Sequence, residues 1–345
     1  MYDFIKVPKK EANIAREALI QNNLYNKGIK AKNDSKYVYF PVQKSKFKVK
    51  ELKKYPLVKK KGEKYTTTRS FRDILINDYH IKDYIGSYDT VGDIAIIKVT
   101  DEMLKKEKEI ARSLLKSNPI IKTVVKKTSK HHGKYRVEDV KYLAGKRTFK
   151  TQVKESNCIF NIRLGKMFFS PRLSFERERC AEFVKDKKTV AVFFSGVGPF
   201  SIIIGKRNPK AKVYSIELNK EAHKCAIENI KQNNVNNVEA ICDDVAKYAQ
   251  KLKNKCDYII MPLPKTSDLF LESAYTCIKK GKNPGQITIY KFVPKNKPYS
   301  KLLSELRRFA KTKNKKIIVV FKRVVRNYSP DIVQVAVDFK FVKKT

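Results

Sequence analysis

The chain has 345 residues, enough for two or three domains of ordinary size, and its 42% hydrophobic content is sufficient for a folded core. It contains no apolar run of about 18 residues that could cross a bilayer and no apolar signal-peptide core near its start, so we expect a cytoplasmic protein without membrane attachment. Lys and Arg number 77 against 34 Asp and Glu, a formal charge of +43 that attracts polyanions such as nucleic acid; a lysine-biased composition is the alternative explanation.

Residues 1–69 are predicted to form a small domain followed by a basic linker. A strand, a helix with apolar residues at helical spacing and a second strand are predicted at residues 3–8, 10–23 and 36–42. From 44 to 69 lysine is dense and aromatic residues are interleaved. This segment is either a solvated linker or a strand and linker that contact RNA, and the sequence favours neither.

Residues 70–180 are predicted to form a second, mostly β domain. A turn over 87–93 leads into a strand at 94–99, and a helix follows over 101–118. Its first turn is acidic, which suits the positive end of the helix dipole. Further strands are predicted within residues 121–127, 140–153 and 158–170. The domain therefore has an α+β composition.

From residue 181 to 345, strands and helices alternate. The apolar strands are predicted at residues 189–194, 212–218, 238–243, 256–261 and 286–292. This rhythm is typical of a doubly wound α/β domain. The last two strands are joined by a short turn and must be antiparallel. A parallel sheet that ends in an antiparallel hairpin is typical of a class I, Rossmann-like methyltransferase domain rather than a dehydrogenase.

The candidate cofactor loop follows the first strand of this domain. It comprises Phe194, Gly196, Gly198, Pro199 and Phe200, and its glycines allow a sharp turn and a close approach to a ligand. Ser201 stands where a dinucleotide fingerprint has its third glycine, which disfavours a pyrophosphate loop.

Acidic residues end the next two strands. Glu217 is placed to hold two ribose hydroxyls, and Asp243 and Asp244 are placed to accept from an adenine amino group. Each acid alone could be a helix cap. Together, ribose and adenine contacts without a diphosphate loop suggest S-adenosylmethionine.

The fourth strand ends in Pro262 and Pro264, which flank Leu263. In amino-methyltransferases this position holds a motif that faces the target base. Two prolines one residue apart give a rigid loop with few donors. A plain strand-to-helix turn is the alternative. Neither the cysteines nor the histidines have the spacing of a metal site, so we expect no metal and buried free thiols.

Collinear motifs between residues 87 and 338 resemble the archaeal and eukaryotic tRNA guanosine-37 N1-methyltransferase family. The most specific combination is FSPRLS followed by ERER and SGVGPF, and other matching stretches are SYDTVGDIAII, YRVEDVKYLAG, YSIELNKEA, DDVAKYA, MPLPKTS and YSPDIVQVAVD. The resemblance implies a monomer with S-adenosylmethionine as cofactor and three domains. The first touches the outer corner of tRNA, and the others grip the anticodon stem-loop and splay out the target base.

The resemblance also implies roles for Arg136 and Glu176. N1 of guanine carries a proton and is a poor nucleophile, so Glu176 would act as general base and Arg136 would hold the charge that develops on O6. From the residues alone, a helix cap and a surface ion pair are the simpler interpretation.

Two positions depart from the family pattern. Val192 stands where the first strand usually ends in Asp, and Pro262 replaces an Asn that would bind the target base. In having Pro262 at this position, the chain resembles an archaeal branch of the family. Members of that branch also methylate carbon 7 of demethylwyosine, a tricyclic guanine derivative at the same tRNA position. A methyltransferase for another RNA position and a catalytically silent tRNA-binding protein are the alternative functions.

Overall fold

The computed structural model describes residues 1–26, 28–43, 49–63, 69–84, 86, 88–128, 137–184 and 188–344. Contacts within the chain divide it into two compact units, Met1–Ile74 and Leu75–Thr345. Within the described ranges, no helix is both long and apolar enough to cross a membrane. The predicted divisions after residues 69 and 180 stay predictions.

The first unit contains a four-stranded antiparallel sheet and one helix. Its elements are β1 (Tyr2–Pro8), α1 (Ala12–Gln21), β2 (Lys32–Asn33), β3 (Tyr37–Pro41) and β4 (Leu57–Lys60). The strand order is β2-β3-β1-β4, and buried residues of β1 and α1, such as Ile5 and Leu19, share one core. The predicted strand, helix and strand are confirmed. Strand β4 lies inside the lysine-dense segment, of which residues 44–48 and 64–68 lie outside the described residues.

A helix and a second four-stranded sheet follow. Their elements are α2 (Phe71–Tyr79), β5 (Tyr88–Val91), β6 (Ile94–Ile97), α3 (Glu107–Ser117), β7 (Thr123–Lys127) and β8 (Val140–Gly145). The sheet order is β5-β6-β7-β8. The turn predicted over 87–93 is wrong for most of its length, because Tyr88–Val91 pairs with β6 and only Gly92 and Asp93 turn the chain. The acidic start of the predicted helix is a 3₁₀ segment, Asp101–Lys106.

The C-terminal part is built on a seven-stranded sheet. Its strands are β11 (Thr189–Phe193), β12 (Lys212–Glu217), β13 (Val238–Cys242), β14 (Tyr258–Met261), β15 (Gln286–Pro294), β16 (Lys315–Asn327) and β17 (Ile332–Lys343), and they are preceded by β9 (Lys150–Glu155) and β10 (Cys158–Arg163). Its helices are α4 (Ser174–Phe183), α5 (Pro199–Arg207), α6 (Lys220–Gln232), α7 (Val245–Tyr248), α8 (Leu271–Cys277) and α9 (Ser300–Thr312).

The sheet order β13-β12-β11-β14-β15-β17-β16 confirms the predicted doubly wound domain. Strands β11 to β15 are parallel, and β17 is antiparallel to both β15 and β16. The inner parallel strands β11 and β14 are continuous buried apolar runs, TVAVF and YIIM, because helices cover both faces of such a sheet. Their carboxyl ends meet at one edge, where the candidate site lies.

The antiparallel hairpin of β9 and β10 packs on α6 of this domain. The backbone amides of Ile159 and Asn161 donate to the side-chain oxygens of Asn233 and Asn229 at 2.8 and 2.7 Å. Buried Asn side chains on one helix therefore pair the outer strand of the hairpin, whose backbone would otherwise be unsatisfied.

Candidate active site

A cavity of about 370 Å³ lies at the carboxyl ends of the parallel strands. This is the edge where ligands bind in open α/β sheets. Six predicted site residues line it: Phe194, Gly196, Glu217, Asp244, Pro262 and Pro264. They come from four different connections after β11, β12, β13 and β14, so the strand order rather than sequence proximity brings them together.

The loop after β11 has a left-handed backbone at three positions. Phe194, Gly196 and Gly198 have φ values of 56°, 59° and 83°. An added Cβ at Gly196 would meet Phe168 O at 3.5 Å, an ordinary contact, so the backbone conformation rather than space favours glycine there. Phe194 adopts the same region at a cost of roughly 1 kcal/mol and packs its ring edge-on against Phe270 at 4.7 Å. Strain is thus stored at the cavity wall.

Glu217 closes this loop from the end of β12. Its Oε2 accepts from Gly196 N at 2.7 Å, and its Oε1 accepts from Asn219 N at 2.8 Å. Burial raises the pKa of the Glu217 carboxyl, and the backbone donors partly offset this effect. Each carboxylate oxygen keeps a further lone pair, so the side chain can still accept from two hydroxyl groups in the cavity.

Asp244 follows β13 and begins α7. Its Oδ1 accepts from Ala246 N at 2.9 Å, the geometry of an N-cap. Asp244 also lines the cavity. The predicted adenine contact of Asp243 stays a prediction: the residue does not line the cavity, and its Oδ1 accepts from Asp244 N at 2.7 Å. Asp243 therefore shapes the turn that presents Asp244.

The loop after β14 is held by backbone hydrogen bonds on both sides. Leu263 N donates to Met261 O at 2.9 Å, and Phe292 N donates to Pro264 O at 3.1 Å. Pro262 and Pro264 both line the cavity and offer it no backbone donor. This wall of the cavity is therefore rigid and mostly apolar.

Three family models match successive parts of the chain. They are the tRNA methyltransferase 5 N-terminal domain over residues 5–50, the TYW2 N-terminal domain over residues 71–148 and the TRM5/TYW2 methyltransferase domain over residues 151–318. A tRNA (guanine(37)-N(1))-methyltransferase, Trm5b, from Pyrococcus abyssi is 35% identical over 338 residues, covering 97% of this chain and 98% of the relative. The chain belongs to the TRM5/TYW2 methyltransferase family.

Two further comparisons bear on this family membership. The solved complex of aTrm5 with tRNALeu has a TM-score of 0.72 and 31% identity, covering 98% of this chain and 99% of the solved one. Taw22 from Nanoarchaeum equitans, a tRNA (guanine(37)-N(1))/4-demethylwyosine(37)-methyltransferase, is 40% identical over 172 residues, covering 49% of this chain and 56% of its own. The resemblance and the fold class predicted from the sequence are confirmed.

Three residues predicted to form the cofactor loop, Gly198, Pro199 and Phe200, do not line the cavity but stabilise the loop and the start of α5. Gly198 N donates to Ser195 O at 3.0 Å and caps α5, of which Pro199 is the first residue. Phe200 is 3% exposed and packs against Tyr290 in the core, with ring centroids 6.2 Å apart. The helical period turns Phe200 towards the sheet, so the predicted cofactor contact of its side chain does not appear in the cavity lining.

Glu176, the predicted general base of this family, is 1% exposed and is not among the residues that line the cavity. Its Oε2 accepts from Tyr290 Oη at 2.7 Å and from Arg179 Nη2 at 2.9 Å. Arg179 also pairs with Asp338 at 2.6 Å. The Glu176 Oε1 atom is buried without a hydrogen bond among the described residues, and Arg323 Nη1 lies 3.5 Å away. Leu173, one helical turn earlier, lines the cavity.

Arg136, the predicted partner of Glu176, lies outside the described residues. Its predicted role and that of Glu176 stay predictions. Among the described residues, no cluster of His, Cys, Asp and Glu could hold a metal ion. All six cysteines are free thiols, and five of them are buried.

Sequence reasoning missed one whole wall of the cavity. This wall consists of Phe292, Arg326, Tyr328 and Gln334. A topological signal could have found it. A strand β16 that runs antiparallel to β17, itself antiparallel to β15, must end at the same edge as the parallel strands. The end of β16, which carries Arg326, and the turn after it, which carries Tyr328, therefore had to lie at the cofactor site.

Proposed function

We propose that this protein transfers the methyl group of S-adenosylmethionine to N1 of guanosine 37 in tRNA. The observation that carries the proposal is the single cavity in which the Glu217 and Asp244 carboxylates meet the proline loop after β14. The Pyrococcus abyssi relative, which matches over nearly the whole chain, is a tRNA (guanine(37)-N(1))-methyltransferase and supports the same reaction.

The residues present fit S-adenosylmethionine. The Glu217 carboxylate can accept from both ribose hydroxyls, and Asp244 can accept from the adenine amino group. Phe194 and Phe270 supply apolar surface between these polar groups. When bound, S-adenosylmethionine supplies a methyl group bonded to a sulfonium, which is an electrophile for a base nitrogen. The chain must then position the base and take up its N1 proton.

Glu176 is the group that we propose takes this proton. Its Oε2 is already occupied by Tyr290 and Arg179, so Oε1 is the atom with a free lone pair for the N1 proton. Two arginines neighbour this carboxyl group, with Arg179 Nη2 2.9 Å from Oε2 and Arg323 Nη1 3.5 Å from Oε1. Arg136 would stabilise the developing charge on O6.

The test is mass spectrometry of nucleosides from an unmodified tRNA transcript incubated with the protein and S-adenosylmethionine. We expect 1-methylguanosine at position 37 and none in a transcript that carries adenosine there. Methylation at another position would support a different RNA target. Intact tRNA binding without methyl transfer would support the alternative function, a tRNA-binding protein without catalytic activity.

A second activity, methylation of carbon 7 of 4-demethylwyosine at the same position, is favoured by Pro262. This residue puts a pyrrolidine ring in the cavity where the family pattern has an Asn amide, which suits a wider and less polar base. The Nanoarchaeum equitans relative is a methyltransferase for both guanosine 37 and 4-demethylwyosine 37, which supports the pairing of both reactions in one chain. The same assay on tRNA that carries demethylwyosine should yield a methylated tricycle. Recovery of the unchanged base, with guanosine 37 still methylated in parallel, would remove this second activity.

A further inference from the structure

The wall of the cavity formed by β15 and the β16–β17 turn has its own chemistry. Arg326 lies near the end of β16 and Tyr328 in the turn that follows it, and Phe292 and Gln334 come from the neighbouring strands β15 and β17. These four residues, here called the hairpin wall, combine one cation with two aromatic rings. Neither S-adenosylmethionine contact proposed above uses them.

Among the residues that the structure describes, Arg326 is held in place through one nitrogen only. Its Nε donates to Gln334 Oε1 at 2.8 Å, while its terminal amino groups make no hydrogen bond within the described part of the chain. Burial and, secondarily, the nearby Arg172 lower the pKa of the Arg326 guanidinium. A cation that is partly removed from water requires an acceptor for its remaining donors. Two parallel donors of fixed geometry suit a carbonyl or phosphate oxygen.

The two aromatic rings form a platform beside this cation. The centroids of Phe292 and Tyr328 lie 4.2 Å apart with an interplanar angle of 39°. Tyr328 is 49% exposed and lines the cavity, so part of its ring surface remains accessible to a ligand although Phe292 packs against it. Exposed aromatic rings of this kind stack unpaired nucleic-acid bases.

We propose that the hairpin wall binds the target base, with the base stacked on Tyr328 and its O6 accepting a hydrogen bond from one terminal amino group of Arg326, in addition to the contact proposed for Arg136. This inference rests on the proposed function. Arginine is the side chain most suited to guanine O6. O6 is bonded to the carbon next to N1, so loss of the N1 proton places negative charge on O6. Arg326 would therefore bind the base more tightly as the reaction proceeds, and Gln334 is a positioning residue for it.

The experiment compares R326Q and R326K with the wild type and with K322Q. Lys322 is an exposed residue of the same strand, so K322Q removes one positive charge without touching the cavity. Single-turnover methylation of a guanosine-37 transcript is measured at saturating tRNA, from about pH 6 to about pH 9. Equilibrium binding of tRNA and of S-adenosylmethionine is measured in parallel.

We expect R326Q to bind S-adenosylmethionine like the wild type and to lose about 10²-fold to 10³-fold in the rate of transfer, as for loss of one donor to a developing oxyanion. The loss should be largest at low pH and smaller at high pH, because without Arg326 the N1 proton is harder to remove. R326K should fall between the two, and K322Q should keep the wild-type rate.

A second pair, Y328L and Y328F, tests the stacking contact. Y328F keeps the ring and should retain the wild-type rate, whereas Y328L should lose about tenfold or more. A wild-type rate in R326Q at saturating tRNA, with weaker tRNA binding, would mean that Arg326 contacts a phosphate and would overturn the proposal. If R326Q does not fold, the rates of R326K, Y328F and Y328L test the proposal instead. Wild-type rates in both R326K and Y328L would then overturn it. A wild type that does not methylate guanosine 37 would instead refute the proposed function.

Discussion

In the proposed cofactor site, burial makes the charged form of the Glu217 carboxyl energetically costly. Burial raises the pKa of its carboxyl above the ordinary 4.5, yet two backbone amides and the proposed ribose hydroxyls all require the charged form. A site that needs a carboxylate in a partly buried position therefore depends on those donors to keep it ionised. The structure provides them from the two loops that define the cavity.

The raised pKa of Glu217 predicts an acid limit for cofactor binding. As pH falls through the raised pKa, the carboxylate gains a proton and loses acceptor capacity, so affinity for S-adenosylmethionine should drop in a window that begins above pH 4.5. E217Q should bind about 10-fold to 100-fold more weakly at neutral pH, as expected for loss of a charged acceptor, and should lack this acid limb. Isothermal titration across pH measures both effects. E221Q, which alters the solvent-facing partner of Lys224, is the control. An unchanged acid limb in E217Q would assign it to another group.

The Glu176 side chain allows a second test at the same scale. E176Q keeps the size of the side chain but cannot accept a proton, so methyl transfer should nearly cease while tRNA binding persists. The same change removes a buried negative charge between Arg179 and Arg323, and some loss of thermal stability is expected. Single-turnover rates, tRNA affinity and a melting curve separate these effects. Turnover close to that of the wild type would show that another group accepts the N1 proton.

At the scale of elements, a buried ion pair connects α4 to the β9–β10 hairpin. Arg177 is 1% exposed, and its Nε and Nη2 donate to the two oxygens of Glu155 at 2.5 and 2.6 Å. Its guanidinium also lies 5.1 Å from the centroid of the Phe169 ring and 5.9 Å from that of Phe200. The pair therefore fixes the segment that carries Leu173 and Glu176 relative to the sheet.

Removal of one partner should destabilise the fold. E155A leaves the Arg177 guanidinium buried without its counter-ion, which costs about 3–5 kcal/mol. E178A on the same helix removes an ion pair with Arg207 that is about half exposed and should cost at most about 1 kcal/mol. Urea unfolding of both variants measures the difference. Equal effects would show that the Arg177 charge is relieved by water or by another acceptor.

The sequence pattern predicted best those elements whose residues share one kind of environment along their whole length. The inner parallel strands β11 and β14 were predictable because burial on both faces requires continuous apolar runs. Strand β5 was missed because its sequence, YDTV, is short and polar and lies at a sheet edge, where one side is solvated. The acids Glu217 and Asp244 were predictable because they end strands. The hairpin wall was not, since Phe292 and Tyr328 meet only through the pairing of distant strands.

At the scale of the whole molecule, the formal charge of +43 predicts how tRNA binding responds to salt. Each phosphate that a lysine or arginine neutralises releases condensed counter-ions, so affinity should fall steeply as salt rises. For about 6–10 phosphate contacts the loss is about 10³-fold to 10⁵-fold between 50 and 200 mM salt. Filter binding of one tRNA across this range gives the slope. S-adenosylmethionine affinity is the internal control, because its proposed contacts are hydrogen bonds inside a cavity and should change little. A tRNA affinity as insensitive to salt as that of the cofactor would mean that the basic surface does not contact the phosphate backbone, and would leave base contacts such as those of the hairpin wall to account for binding.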